Sequence, residues 1–403
     1  MKFKKIAALS LAASLALFPT FGNDASAQQD QLKKPTKDIT VNKSIAKDKY
    51  VKGEVIVKFK DSVGTSEKGK SLKSLGATKV PDKNGVKSEF DVLKVGNVEA
   101  VVKALEKNPN VEYAEPNYIF NVNWTPNDYY YQGYQYGPQN TYTEYAWDYT
   151  RGTSSQEIAI LDTGVDYNHP DLDGKTIRGY DFVDNDYYPM DENSHGTHVA
   201  GTAAAETNNG TGVAGMAPNT KILAVRVLDA NGSGSLADIA DGIKYAADEG
   251  AEVINLSLGC NCDTSTLENA VNYAWNKGSV IVAAAGNDGV STTFEPASYA
   301  NVIAVGAVDS NDRKASFSNY GTWVDVTAPG VQIASTVPNN GYSYMSGTSM
   351  ASPHVAGLAG LLASQGRSNV EIRQAIEQTA DAISGTGYYF EHGRINSYNA
   401  VRY

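Results

Sequence analysis

Three short motifs hold the residue types that turn a hydroxyl into a nucleophile: Ile160-Leu161-Asp162-Thr163-Gly164, Asn193-Ser194-His195-Gly196-Thr197-His198 and Gly347-Thr348-Ser349-Met350-Ala351-Ser352-Pro353-His354. A serine hydroxyl is a weak nucleophile near neutral pH. It needs an adjacent base to take its proton, and that base needs a third group to fix its tautomer and stabilise the imidazolium that forms. Asp162, His195 and Ser349 supply the carboxylate, the imidazole and the hydroxyl. Acyl transfer also needs a donor aimed at the developing oxyanion. Asn287, which follows the apolar run Ala283-Ala284-Ala285-Gly286, offers a side-chain amide.

Each candidate has neighbours that could compete for its role. Asp162 directly follows the apolar run Ile158–Leu161, which predicts the carboxyl end of a buried strand, where open α/β folds gather their sites. Asp166 and Asp171 are close in sequence but end no strand. His195 opens a small-residue helix running to Ala205. With His198 it forms a His-x-x-His pair that could hold a metal, but the Glu of the zinc-protease pattern is absent and the chain has only five histidines. Ser349 precedes Met350–Leu362, whose spacing predicts a buried helix. Pro353 is compatible with that helix in its first turn. This places Ser349 at the helix start, among free N–H groups suited to an oxyanion. Ser346 and Ser352 are the alternative hydroxyls.

These residues in the order Asp, His, Ser resemble the subtilases. From about Trp124 to Tyr403 the chain is similar to the thermitase-type branch, in segments such as Ala274-Trp275-Asn276-Lys277-Gly278-Ser279-Val280 and Leu361-Leu362-Ala363-Ser364-Gln365-Gly366-Arg367. The resemblance implies a serine endopeptidase working through an acyl-enzyme, with His195 rather than His198 as base and Asn287 in the oxyanion hole. It also implies that Ser233-Gly234-Ser235 and Ser257-Leu258-Gly259 sandwich an extended peptide by main-chain hydrogen bonds. Gly259, Ala285 and Gly286 would line the primary pocket, their small size leaving room for a large apolar or aromatic residue before the cut. The expected partners are protein and peptide substrates. A rival reading is a catalytically inactive binding protein on a subtilase scaffold.

The elements that must position these groups follow from the patterning. Five short apolar runs (Ile158–Leu161, Lys221–Val227, Val253–Leu258, Val280–Ala283 and Val302–Val305) alternate with helical patterns such as Leu236–Glu249 and Ser265–Lys277. Alternation of this kind predicts an α/β fold with a doubly wound parallel sheet. Upstream, Gly53–Phe59 alternates like a strand, Val98–Leu105 has helical spacing, and Val111–Ala114 is strand-like, the parts of a small α+β domain. Placed before a protease, that domain resembles the subtilase propeptide, an intramolecular inhibitor and folding aid. Its tail Asn117–Asn123 would lie in the cleft. The family's mature start matches Trp124-Thr125-Pro126-Asn127-Asp128, so the expected division is signal 1–27, propeptide 28–123 and catalytic domain 124–403.

The first 27 residues have a basic start, a short apolar run from Ile6 to Phe18 and then Ala25-Ser26-Ala27, the zones of a secretory signal too short to span a bilayer. The expected product is secreted, free of the membrane after signal removal, and monomeric. The net charge of −11 conceals a split: residues 28–123 carry +5 and residues 124–403 carry −18. An acidic catalytic region argues against a nucleic-acid partner and favours cations.

Cys260 and Cys262, the only cysteines, can pair only with each other or stay free. An extended pair two positions apart needs a bent loop to bridge, and the expectation is a disulfide at the pocket edge. Asp181, Asp184, Asp186 and Asp191 cluster without a nearby cation in sequence, and the stretch resembles a Ca²⁺ loop of the family, although Met190 stands where a side-chain ligand is expected. The resemblance implies a second Ca²⁺ site from Asp128, Asp171, Glu206 and Asn209, with carbonyls from Thr211 and Val213. The many tyrosines between Tyr129 and Tyr145 are expected at the surface.

Overall fold

The computed structural model describes residues 32, 50–81, 88–119 and 124–403. The expected signal and residues 120–123, just before the expected maturation cut, lie outside the described residues. The upstream domain runs β1 (Tyr50–Phe59), α1 (Thr65–Ser74), β2 (Thr78–Lys79), β3 (Asp91–Lys94), α2 (Val98–Glu106) and β4 (Val111–Tyr118), with strand order β2-β3-β1-β4, all antiparallel in their pairing. This is the split β-α-β arrangement. Asn97 caps α2 by accepting from Ala100 N at 2.9 Å, and Val98, Val101 and Leu105 turn one helical face into a small core with Val55, Val57 and Leu93.

The region from Trp124 onward opens with three single turns, α3 (Tyr131–Tyr134), α4 (Gly137–Asn140) and α5 (Thr143–Ala146). The tyrosines there are mostly interior: Tyr130, Tyr131, Tyr136 and Tyr142 are buried and Tyr129 is exposed, correcting the surface expectation. The rings of Tyr131, Tyr136 and Trp147 close one side of the core, and Trp124 packs edge-on to Trp147 at 5.3 Å between centroids.

The remaining strands are β5 (Glu157–Asp162), β6 (Thr176–Asp181), β7 (Lys221–Arg226), β8 (Val253–Leu256), β9 (Val280–Ala284), β10 (Val302–Val308) and β11 (Val326–Pro329), and a hairpin adds β12 (Ile333–Val337) and β13 (Gly341–Met345). The larger helices are α6 (His195–Ala204), α7 (Leu236–Asp248), α8 (Ser265–Lys277), α9 (Thr348–Ala363) and α10 (Asn369–Gln378), followed by the turn α11 (Ser397–Ala400). Seven parallel strands in the order β11-β10-β9-β8-β5-β7-β6 form the sheet. Helices α6, α9 and α10 bury one face and α7 and α8 the other. Both faces being covered explains the nearly continuous apolar strands.

From β5 the chain moves out to β6 and back to β7 on one side, then crosses to β8 on the other. The strand order therefore reverses between β5 and β8, and the carboxyl edge at that reversal is where a crevice opens. Helix α9 crosses behind it, and its Pro353 lies at the sixth helical position rather than in the first turn. Proline there cannot donate to the carbonyl four residues back. The orphaned carbonyl is that of Ser349, and Ser257 Oγ donates to it at 2.9 Å.

Candidate active site

Asp162 ends β5 and is fully buried. Its Oδ1 accepts from Thr163 N at 2.8 Å and meets His195 Nδ1 at 2.7 Å. His195 is the first residue of α6 and its side chain keeps about a quarter of its surface, 27%. Burial opposes the imidazolium, but the Asp162 charge and hydrogen bond outweigh it and hold His195 above its ordinary value of 6.5. With Nδ1 committed to Asp162, Nε2 is the ring nitrogen left for proton transfer. Gly196 is obligatory next to it, because a Cβ there would strike the Gly164 carbonyl and lie 3.1 Å from Asp162 Cβ.

His198, the rival, is buried on the inner face of α6. Its Nε2 donates to Ile333 O at 2.9 Å and approaches Ser343 O at 3.2 Å, and burial pulls its pKa down to about 3. It is a neutral ring fixing the β12–β13 hairpin against α6. Asp166 binds the Asn168 and Asn339 amides and stays outside the constellation. Ser352 donates to Asn255 Oδ1 at 2.7 Å inside the core, and Ser346 accepts from Gln332 N.

Ser349 is the second residue of α9 and is partly exposed. Its hydroxyl donates to Ser257 O at 3.2 Å. Asn287 lies just past β9, its Oδ1 accepting from Thr348 N at 2.8 Å and Thr348 Oγ1 at 3.0 Å. That fixes the amide so that Nδ2 turns the other way. A Cβ on Gly347 would lie 3.6 Å from Ser349 N and 3.7 Å from Asn287 Nδ2. Two N–H donors therefore border the space in front of Gly347, an arrangement of the kind an oxyanion hole uses.

The two expected peptide-binding segments belong to no strand. Ser233–Ser235 is exposed; Ser233 O accepts from Asp229 N, and Ser235 caps α7. Ser257-Leu258-Gly259 leaves β8 two residues earlier than the apolar run suggests. Of the expected pocket residues, a Cβ added to Gly259 or Gly286 would meet the Phe294 ring, and Ala285 is buried with its N–H on Val305 O. Cys260 and Cys262 approach with Cα atoms 5.2 Å apart in a bent loop, within disulfide range.

The acidic loop departs from expectation. Arg226, remote in sequence, places Nη1 3.0 Å from Asp181 and 2.7 Å from Asp184, and Nη2 2.8 Å from Glu192. Asp181 Oδ1 also accepts from Val183 and Asp184 amides, and Asp186 Oδ1 from Tyr188 N. Asp191 is buried elsewhere. It accepts from Thr163 Oγ1, from the amides of Asn193 and Ser194, and from both N and Oγ1 of Thr197. Its carboxylate ties the Asp162 strand to the start of α6, so it holds Asp162 and His195 in place rather than joining the loop. The cluster as predicted does not assemble.

In the other acidic set Asp128 and Asp171 are buried near one another and share Asn209. Asp128 accepts from Asn208 and Asn209 amides, and Asp171 from Asn209 Nδ2 at 2.9 Å and Val213 N at 2.9 Å. Burial drives Asp171 up to about 6, the Asp128 charge adding to it, and burial likewise raises Asp128, with Glu206 adding. In the 206–213 loop the carbonyls of Gly212 and Ala214 accept from Tyr130 N and Gln135 Nε2, whereas those of Asn209, Thr211 and Val213 take no hydrogen bond among the described residues. The neighbouring Lys175 feels Glu206 and Asp171 but spends its ammonium on Pro218 O at 2.5 Å.

Residues 153–394 match the peptidase S8 family, the subtilase family. The chain belongs to the subtilase family. Residues 36–117 of this subtilase match the fervidolysin N-terminal prodomain. It is 74% identical to the thermophilic serine proteinase of Bacillus sp. (strain AK1) over the whole of both chains. Against thermitase of Thermoactinomyces vulgaris it is 61% identical over 280 residues, 70% of this chain and 100% of that one, and against subtilisin Savinase of Lederbergia lenta 47% over 252 residues, 62% and 91%. The chain is a thermitase-type subtilase precursor: a subtilisin-like serine endopeptidase behind a prodomain.

Sequence reasoning missed Arg226, Asp191 as an organiser, Ser257 Oγ, and Phe294. Only the Ser257 partnership had a local signal, the proline four residues after Ser349.

Proposed function

We propose that Ser349 attacks the peptide carbonyl while His195 takes its proton through Nε2 and returns it to the leaving amine. Asp162 orients His195 and stabilises the imidazolium. The oxyanion sits between Asn287 Nδ2 and Ser349 N–H, and an extended peptide pairs with Ser233–Ser235 and Ser257–Gly259. The observation that carries this reading is the pair of donors, Ser349 N–H and Asn287 Nδ2, that border the space in front of Gly347. In the resting arrangement the Ser349 hydroxyl is parked on Ser257 O, so a rotation about its side-chain bond precedes attack.

The precursor is exported, removes its own residues 28–123 and acts outside the cell as a monomer on protein and peptide substrates, without nucleic-acid or membrane partners. The mature chain would start at Trp124; the stretch from Trp124 to Tyr403 is 280 residues long, the length aligned with all of thermitase, which supports that start. Cys260 and Cys262 form a disulfide that stiffens the pocket edge.

Ca²⁺ fits the set Asp128, Asp171, Glu206 and Asn209 with the Thr211 and Val213 carbonyls. Buried carboxylates that raise one another's pKa, facing free carbonyls, are the oxygen donors of a hard cation. Its contribution there is structural. The Asp181–Asp191 loop fits poorly, since Arg226 already answers its charge and Asp191 is engaged elsewhere.

The test is labelling with diisopropyl fluorophosphate. The reading expects one adduct, on Ser349, abolished by His195→Ala and by Ser349→Ala. An adduct on another residue, or active enzyme with no adduct, contradicts it.

A further inference from the structure

We infer that a tyrosine-lined pocket at the far end of α6 is a second anchoring surface for the segment removed at maturation, and that its occupant is Leu32. The anchor stands away from the cleft, so it holds the prodomain on the catalytic domain after the chain has been cut. The inference rests on the reading that residues 28–123 are the part removed.

Leu32 is 8% exposed. Among the described residues it is not part of the upstream domain's core around Val55 and Leu93. It clusters instead with Tyr130, Ala205, Val213 and Ala334, with Tyr342 and Tyr344 packed against them, and all of these partners lie in residues 124–403. Its main-chain N–H donates to the Tyr130 hydroxyl. A leucine is thus buried by a domain other than its own, and a main-chain hydrogen bond fixes its place. Residues 28–49 are Lys-rich, and Leu32 is their only leucine.

The pocket is built from segments that other bonds hold. Tyr130 N donates to Gly212 O at 2.8 Å, and the Tyr130 ring lies 5.1 Å from that of Tyr342. Ala205 closes α6 at the end opposite His195, so about 15 Å of helix separates the pocket from the catalytic base. The chain from Leu32 to the start of β1 at Tyr50 can span up to about 60 Å, long enough for a contact separate from the one its tail makes. Charge favours the same occupant. Lys33 and Lys34 follow Leu32 in sequence, and the pocket borders carboxylates: Val213 N donates to Asp171 at 2.9 Å, and Tyr130 stands two residues after Asp128. Two contacts on one surface each raise the effective concentration of the other, so a prodomain severed at its tail stays bound through Leu32.

The experiment exposes the full precursor from Gln28, carrying Ser349→Ala, to trypsin and follows by mass the cut between Lys33 and Lys34, normalised to the cut after Lys43. A protease can close on the first bond only when Leu32 has left its pocket, so the rate reports the unseated fraction. The expected result is a rise of about tenfold or more in Leu32→Ala, the scale of a buried leucine side chain lost, and slow cutting regained in Leu32→Met. Tyr130→Ala, which leaves the sequence around the cut unchanged, should give a rise of the same order. With Ser349 intact, Leu32→Ala should shorten the interval between appearance of the cut chain and appearance of peptidase activity about tenfold, while kcat/KM of the mature enzyme stays the same. Unchanged trypsin rates in both variants overturn the anchor, and faster cutting with an unchanged interval overturns its part in holding the prodomain. If wild type and Ser349→Ala both keep residues 28–123, the maturation reading fails and the trypsin comparison still decides the anchor. If Tyr130→Ala does not fold, the Leu32 variants, which alter no residue of the catalytic domain, decide alone.

Discussion

The Asp128–Asp171–Glu206 pocket and the Asp181–Glu192 region are both acidic in sequence, yet the fold treats them oppositely. In the first, Asp128 and Asp171 are buried near one another beside the half-buried Glu206, Asp171 is pushed to about 6, and the nearby lysine is turned to a carbonyl. On the loop, the buried Arg226 reaches across from the end of β7 and pairs with Asp181, Asp184 and Glu192. A run of carboxylates thus carries little information about a cation until its counter-charges are known. What matters is whether the charge is answered from within.

The contrast is most exposed to test at Arg226. Arg226→Met leaves Asp181 buried without its partner, which costs about 3–5 kcal/mol. At roughly 2–4 °C per kcal/mol for a domain of this size, the melting temperature of the inhibitor-blocked enzyme should fall by about 6–20 °C. Added Ca²⁺ should recover part of that loss by taking the vacated place. A wild type that responds to Ca²⁺ at the loop as strongly as the variant does would mean that Arg226 does not stand in for the cation.

Chelation addresses the other region. At Ca²⁺ a thousandfold above Kd, binding to the folded state contributes about 4 kcal/mol, so EDTA should lower the melting temperature by a similar amount, and Asp171→Asn should remove most of that response. An unaltered EDTA effect in Asp171→Asn would move the binding site elsewhere.

The pH dependence is smaller and has a distinctive sign. A carboxyl whose pKa is about 6 when folded and about 3.9 when unfolded binds its proton more tightly in the folded chain. Stability of the calcium-free enzyme should therefore fall as pH rises from about 4 to 6, by about 2–3 kcal/mol for Asp171. Asp325, also raised to about 6 by burial, adds a component of the same sign. Ca²⁺ should cancel the Asp171 component and leave that of Asp325, which urea titrations across this range with and without the ion would resolve. The smallest effect belongs to Ser257→Ala, which strands the Ser349 carbonyl and should cost about 1–2 kcal/mol, measurable by urea unfolding.

Much of the frame was legible in the sequence because buried parallel strands and amphipathic helices write their period into it. Helix α8 has the bounds that its pattern implies, and Asp162, His195, Asn287 and Ser349 each stand at an element end that local sequence announces. What escaped was set by contacts between segments distant in the chain. Arg226 meets Asp184 across 42 positions, and Phe294 packs beside Gly259 from the β9–β10 loop. Pro353 misled in a narrower way: the rule that places it in the first turn assumes that its orphaned carbonyl has no other donor, and Ser257 supplies one. The tyrosines near the start of the catalytic region misled because a phenol is readily taken for a surface group, although a ring can be buried when its hydroxyl finds a partner, as Tyr136 does with Val331 O at 2.8 Å.

The most direct test of the central claim, that Ser349 is the nucleophile of an enzyme that matures itself, is the intact mass of the exported wild type and Ser349→Ala, produced side by side. The expected result is a wild-type chain beginning near Trp124 and a variant retaining the prodomain from about Gln28. Equal processing of the two would contradict it.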